Sequence, residues 1–333
     1  MVQENSPEGI RITAVAVLAL ALLAPPQLKG QDPLQPAEEQ DDTVLVPVGP
    51  MQPDIYVADL SVLDGLYYVG PLQNITNRAH TYDNQPAFTP DSRSLLYTTE
   101  HGYGERVQTE ISRYYLSSRR ETRITRTEQS EYSAAPVPGD RAFSTVRVEA
   151  DSTQRVWRFT MQGMDGEVLP TNLDTVGYYA WGNETTLLLY VLGSPPTARI
   201  ADLTTGQSEV VAGGVGRSMH KIPNRNAWSF VERVSADEAW INEVNIGTHE
   251  VRRLIRTIGG GEFHAWTPEG VLLMALESRI YQWDPELVNG DWSRVADLED
   301  MRITVSRITV SPDGSTVAIV GHPMAEIEPE DVR

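Results

Sequence analysis

The sequence predicts an all-β fold: a six-bladed β-propeller of four-stranded blades, its ring closed by an N-terminal and a C-terminal half-blade. Three observations predict it. One turn-and-strand unit recurs six times at an even period, a second strand pair follows five of those units, and the pair missing after the sixth stands ahead of the first.

Each unit opens with an apolar or aromatic residue, makes a tight turn and continues as an apolar strand. The heads are Ala87–Asp91 leading to Leu95–Tyr97, Pro136–Val137–Pro138–Gly139 leading to Ala142–Ser144, and Ala180–Glu184 leading to Leu187–Tyr190. They continue with Lys221–Arg225 before Trp228–Phe230, Ala265–Gly270 before Val271–Leu273, and Thr309–Gly314 before Val317–Val320. The turn positions Pro90, Pro138, Gly182, Pro223, Pro268 and Pro312 are separated by 48, 44, 41, 45 and 44 residues. Proline sets φ at the second turn position, Asp or Asn bonds back to nearby backbone, and Gly tolerates the exit, so each head reads as a hairpin.

A second hairpin follows, as in Ile200–Leu203, a turn at Thr204–Gln207, and Ser208–Val211. Val156–Phe159 and Ile241–Val244 begin similar pairs. Four strands in this period make a blade, and a single blade cannot cover both faces of its sheet, so neighbouring blades must do so. The run Leu187–Leu192 (LLLYVL) fits a strand covered on both faces, because a half-exposed strand would alternate with polar residues. A two-sheet sandwich does not predict one punctuated unit returning six times.

The last head, Ile308–Val320, has no second pair after it. Ile55–Leu60, a turn near Asp64–Gly65 and a strand through Leu72–Thr76 supply one from the other end of the chain. Pairing the two halves removes the exposed terminal strands that invite aggregation. The propeller is thereby expected over 53–322, with 323–333 as a C-terminal tail.

Ahead of it, Ile12–Ala24 is an uncharged apolar run of 13 residues preceded by Arg11 and followed by Pro25–Pro26. That is signal-peptide length, whereas a membrane-spanning helix needs about 20 such residues. Residues 1–30 are expected to be a signal peptide and the mature chain to lack a transmembrane segment, giving a periplasmic or secreted protein. Residues 31–52 carry five acids, no bases and several prolines, and read as a solvated linker. The formal charge is −19, from 27 Lys and Arg against 46 Asp and Glu, which opposes binding to nucleic acid. Cysteine is absent, which excludes disulfides, thiolate metal sites and a cysteine nucleophile.

Ser311–Pro312–Asp313–Gly314 and Thr89–Pro90–Asp91–Ser92, each followed by an apolar strand, resemble the hallmark turn of TolB-like propeller repeats. Ile55–Leu60 is similar to that family's strand pattern and Asn74–Thr76 to its blade ending. The resemblance spans about 53–322, with Gly182 in place of a proline and Asn224–Arg225 in place of Asp-Gly. It implies a periplasmic, non-enzymatic platform for a protein or peptide partner. Oligomeric state is not legible in the sequence.

The innermost strands line a central shaft, so residues just before each turn face a common axis. Asp83 and Glu131 stand seven residues before their turn prolines; Arg217, Glu262 and Arg307 fall near the corresponding place, with Tyr82, Tyr132, Tyr178, His220 and His264 as neighbours. These ten are the candidate binding residues. No cofactor is called for, but Ca²⁺ is possible, because carboxylates coordinate it and six-bladed lactonases and quinoprotein sugar dehydrogenases hold metal or cofactor in such a shaft. A metal-dependent enzyme of a sugar or lactone, built on Asp83, Glu131 and Glu262, is therefore the alternative to a binding module. The nearest approach to a nucleophile elbow, Gly216–His220, lies on an inner strand with no helix to follow, and no catalytic residue is assigned.

Overall fold

The computed structural model describes residues 52–78, 80–102, 107–139, 141–287 and 290–324. The expected signal peptide and all of the linker but Gln52 lie outside the described residues, as does the tail beyond Met324. Among the described residues no helix is long and apolar enough to cross a membrane.

The described chain is six antiparallel sheets placed in sequence order around an axis. From inner to outer strand, blade 1 is Asp83–Phe88, Ser94–His101, Gln108–Tyr115 and Arg120–Arg123. Blade 2 is Ser130–Pro136, Ala142–Val148, Gln154–Thr160 and Glu167–Val168, and blade 3 is Val176–Trp181, Thr186–Val191, Thr197–Asp202 and Gln207–Gly213. Blade 4 comprises Val215–Lys221, Ala227–Arg233, Ala239–Asn245 and Val251–Arg256; blade 5 comprises His264–Trp266, Leu272–Leu276, Arg279–Trp283 and Ser293–Asp297.

Blade 6 takes its two inner strands, Ile303–Val310 and Thr316–Pro323, from one end of the chain and Asp54–Leu63 with Leu66–Val69 from the other. Asp54–Leu63 lies antiparallel to Thr316–Pro323, with Tyr56 opposite Ile319 and Val57 opposite Ala318. Asp64 and Gly65 both have positive φ, the requirement of a two-residue hairpin turn of the primed type. The outer strand differs from expectation. Leu66–Val69 covers the far half of the ten-residue strand, and only Gln73–Asn74, opposite Val57 and Tyr56, covers the near half. The turn returns the chain at once, so Leu66 pairs before Leu72 arrives.

The repeated Ser/Thr-Pro-Asp turn has a chemical cause. The Thr89 hydroxyl donates to Asp91 at 2.6 Å, and the same carboxylate oxygen accepts the Arg93 N–H; Ser311, Asp313 and Ser315 repeat the arrangement. Residues in left-handed backbone complete five of the six turns: Ser92, Gly139, Asn224, Gly270 and Gly314.

Apolar packing forms one cluster at each junction between blades. Strand alternation feeds two of them at once. Leu187 and Leu189 pack toward blade 2 and Leu188 toward blade 4, all without solvent exposure. Tyr56 and Ile319 likewise pack toward blade 5, whereas Ile55 and Ala318 pack toward blade 1. Each such leucine contributes about 2 kcal/mol by burial, which explains why central strands are apolar throughout. Polar ties cross the same junctions: the indole N–H groups of Trp181 and Trp266 donate to Ser144 and Ser229 of the preceding blade, each at 2.8 Å.

Candidate functional site: the central shaft

A β-bulge interrupts the inner strand of blades 1, 2, 3, 4 and 6, between Asn84 and Ala87, Tyr132 and Ala135, Val176 and Tyr178, Val215 and Met219, and Val305 and Arg307. Gln85 and Ser133, inside two of the bulges, have positive φ. The irregularity adds one residue in blades 1, 2, 3 and 6 and two in blade 4, and it re-aims the side chains that follow. The ring that reaches the shaft stands five residues ahead of the turn, in blade 5 without a bulge: Gln85, Ser133, Ser218, Phe263 and Arg307 all line one cavity of about 300 Å³. Tyr178, one place later, takes the position in blade 3.

Arg307 closes the shaft across its width. It leaves blade 6, donates through Nε to Asn84 of blade 1 at 2.8 Å, and reaches the Tyr178 hydroxyl of the opposite blade at 3.2 Å through Nη2. Its guanidinium also lies over the rings of Phe263 and Tyr178, at 4.8 and 5.1 Å from their centroids. Tyr82 feels Arg307, Tyr178 and Tyr132 as charged or polar neighbours, and burial pushes its hydroxyl up to about 12. Glu262 accepts the backbone N–H of Arg217 and pairs with the Arg217 and Arg233 guanidinium groups, the latter at 2.8 Å. Burial works against this carboxylate, yet the Arg217 hydrogen bonds and the two cations hold its pKa below the ordinary value.

The two histidines form a polar chain through buried serines. The Trp266 indole donates to Ser229; Ser229 lies 2.8 Å from His264 Nε2; Ser218 lies 3.2 Å from His264 Nδ1 and 3.1 Å from His220 Nε2. Burial drives the His220 pKa down to about 4, and it drives His264 well below its ordinary value with His220 adding to the effect. Both rings are therefore neutral at pH 7. No carboxylate among the described residues hydrogen-bonds to either ring, so the orienting acid of a serine triad is lacking there.

Asp83 and Glu131 stand apart from this group. Both precede their bulges and turn away from the cavity, fully buried. Asp83 pairs with Arg78 at 2.7 Å, and Glu131 with Arg147 at 3.0 Å and the Thr127 hydroxyl at 2.6 Å. Burial raises the Asp83 carboxyl to about 6 against the pull of Arg78 and Thr99, and burial raises that of Glu131 as well. Asp83, Glu131 and Glu262 thus each answer an arginine, and among the described residues no three His, Asp or Glu side chains are placed to hold one metal ion. The carboxylates proposed for Ca²⁺ do not fit it as a set.

Of the ten sequence candidates, Tyr178, Arg217, His220, His264 and Arg307 line the cavity, with Tyr82, Tyr132 and Glu262 close behind them. Phe263, Ser218, Gln85, Ser133 and Lys221 also line it and were not among the candidates. Phe263, Ser218, Gln85 and Ser133 share the signal of standing five residues before their turns, whereas Lys221 stands only two before Pro223.

No protein-family model matches the chain, and no curated protein matches it in sequence. Solved structures do match. A TolB-type protein from Agrobacterium tumefaciens aligns with a TM-score of 0.64 at 13% identity, over 83% of this chain and 100% of its own. TolB from Acinetobacter baumannii aligns at 0.51 and 13% identity, over 82% of this chain but 65% of that one. An oligogalacturonate lyase in complex with manganese aligns at 0.51 and 13% identity, over 78% of this chain and 83% of that one. Identities this low speak to architecture, and the architecture they share is the expected one: this chain has the TolB-like six-bladed β-propeller fold.

Proposed function

We propose that the protein is an exported, non-enzymatic binding module, periplasmic or secreted, which presents the mouth of its shaft to a protein or peptide partner. The lining of the cavity carries this reading: small residues such as Ala87 and Ala135, aromatic rings, hydroxyls and cations, with no carboxylate among them. Concave surfaces of mixed apolar and convergent polar groups are built for contact. General acid or base chemistry requires a group poised near the working pH and free to exchange its proton. The shaft histidines are buried and neutral, and the buried carboxylates are engaged by arginines. The alternative of a metal-dependent enzyme of a sugar or lactone draws on the manganese-bound lyase among the structural neighbours, and among the described residues it has no cluster of three His, Asp or Glu to serve as a ligand set.

The test is affinity capture from a cell-envelope extract with the mature chain and with Thr309→Trp, which places an indole in the cavity lining. A partner held by the native chain and lost about tenfold or more by a variant of unchanged melting temperature supports the reading. A partner held equally by both, or turnover of a sugar or lactone by the native chain, overturns it.

A further inference from the structure

We infer that the shaft takes a free peptide C-terminus, whose carboxylate displaces Tyr178 as the partner of Arg307 and leaves the Nε bond to Asn84 in place. The inference rests on the reading of the shaft as a peptide-binding cavity and adds the chemistry of the occupant.

Among the described residues three cationic side chains line the cavity, Arg217, Lys221 and Arg307, and no Asp or Glu does, in a chain whose formal charge is −19. The three differ in how they are satisfied. Arg217 has Glu262. The Lys221 ammonium donates to the backbone carbonyls of Ile222 and Arg225. Arg307 has no carboxylate partner among the described residues; it holds one amide oxygen, one phenol and two ring faces, and its Nη1 donates to nothing described. A half-buried guanidinium held by neutral groups is incompletely paid back for its lost hydration. A carboxylate that met its Nη1 and Nη2 edge would form the bidentate pair that guanidinium geometry favours.

Geometry selects the end of a chain over its middle. The Arg307 bridge joins opposite blades, so a polypeptide cannot thread past it. An internal acidic residue would oblige the chain to enter and double back within about 300 Å³. A terminus enters once and stops with its carboxylate at the bridge. Phe263 and Tyr178, beside the guanidinium, offer apolar surface to the last side chain.

The experiment passes two pools of randomised N-acetyl pentapeptides, one with free and one with amidated C-termini, over the immobilised native chain, Arg307→Gln and Arg307→Lys. Retained peptides are identified by mass spectrometry. The native chain is expected to retain members of the free-acid pool at least about tenfold over the amidated pool, Arg307→Gln to lose that preference, and Arg307→Lys to keep part of it. Melting temperatures and near-ultraviolet circular dichroism establish that the variants are folded. Equal retention of both pools overturns the carboxylate and leaves peptide binding standing; retention of neither overturns both. Displacement of retained peptide by millimolar galacturonate, with no preference for the free-acid pool, assigns the anion site to a sugar acid and overturns the proposal.

Discussion

Arg307 and Tyr178 belong to opposite blades, yet the guanidinium Nη2 lies 3.2 Å from the phenol oxygen, so that one hydrogen bond spans the shaft. Only neutral groups hold the guanidinium there: the Asn84 amide oxygen, the Tyr178 phenol and two ring faces. The bridge is therefore a closure that a better partner can replace rather than a strut of the ring. Tyr178→Phe is expected to cost about 1 kcal/mol or less in urea unfolding, with an unchanged denaturant slope. A loss above about 3 kcal/mol would make the bridge a structural brace.

Packing between blades is where stability resides. Leu188 is fully buried between blades 3 and 4, with Trp228 and Phe230 in the same cluster. Leu188→Ala is expected to cost about 2–5 kcal/mol, depending on how far the cavity collapses, and chemical denaturation measures it. A cost below about 1 kcal/mol would contradict blade-to-blade packing at this position.

The buried carboxylate Asp83 has a pH signature. Burial outweighs the attraction of Arg78 and Thr99, and the folded-state pKa stands at about 6 against an ordinary 3.8. The native state then holds a proton that the unfolded state has released, so this group's contribution is full below about 3.8 and is lost as pH rises through about 6. His220 works in the other sense: its stabilising neutral form is complete above 6.5 and lost as pH falls through about 4. The native profile mixes the two, and a difference isolates one. The stability of the native chain relative to Asp83→Asn should fall between pH 4 and 7, measured as paired melting temperatures. A flat or rising difference would contradict it.

Calcium discriminates the two functional readings without knowledge of a substrate. With Asp83, Glu131 and Glu262 each paired to an arginine, millimolar Ca²⁺ is expected to leave the melting temperature unchanged. An upward shift abolished by Asp83→Ala with Glu131→Ala would restore the metal-dependent alternative.

The repeat, the six turns and the ring closure were legible because each leaves a mark on many residues: a period near 44, a turn chemistry and apolar central strands. The orientation of the shaft residues was not, because a single extra residue in an inner strand decides it. Counting back seven from Pro90 and Pro138 reaches Asp83 and Glu131, which lie ahead of the bulges and face the interblade layer. Counting back five reaches Gln85 and Ser133, which face the axis. Arg307 was legible as a charge near the axis, but its partner Tyr178 is 129 residues away and belongs to a neighbourhood that only the closed ring creates.

The shaft exists only if the two ends of the propeller share a blade, and the absence of native cysteine allows a clean measurement of that. Val57 and Ala318 are directly opposite on adjacent strands and pack on the same side of the sheet. In a Val57→Cys, Ala318→Cys double variant, mild oxidation is expected to consume both thiols in an intramolecular disulfide, detected by mass spectrometry, and to leave the circular dichroism spectrum unchanged. Two free thiols after oxidation of the folded monomer, or cross-linking only between molecules, would contradict the closed ring.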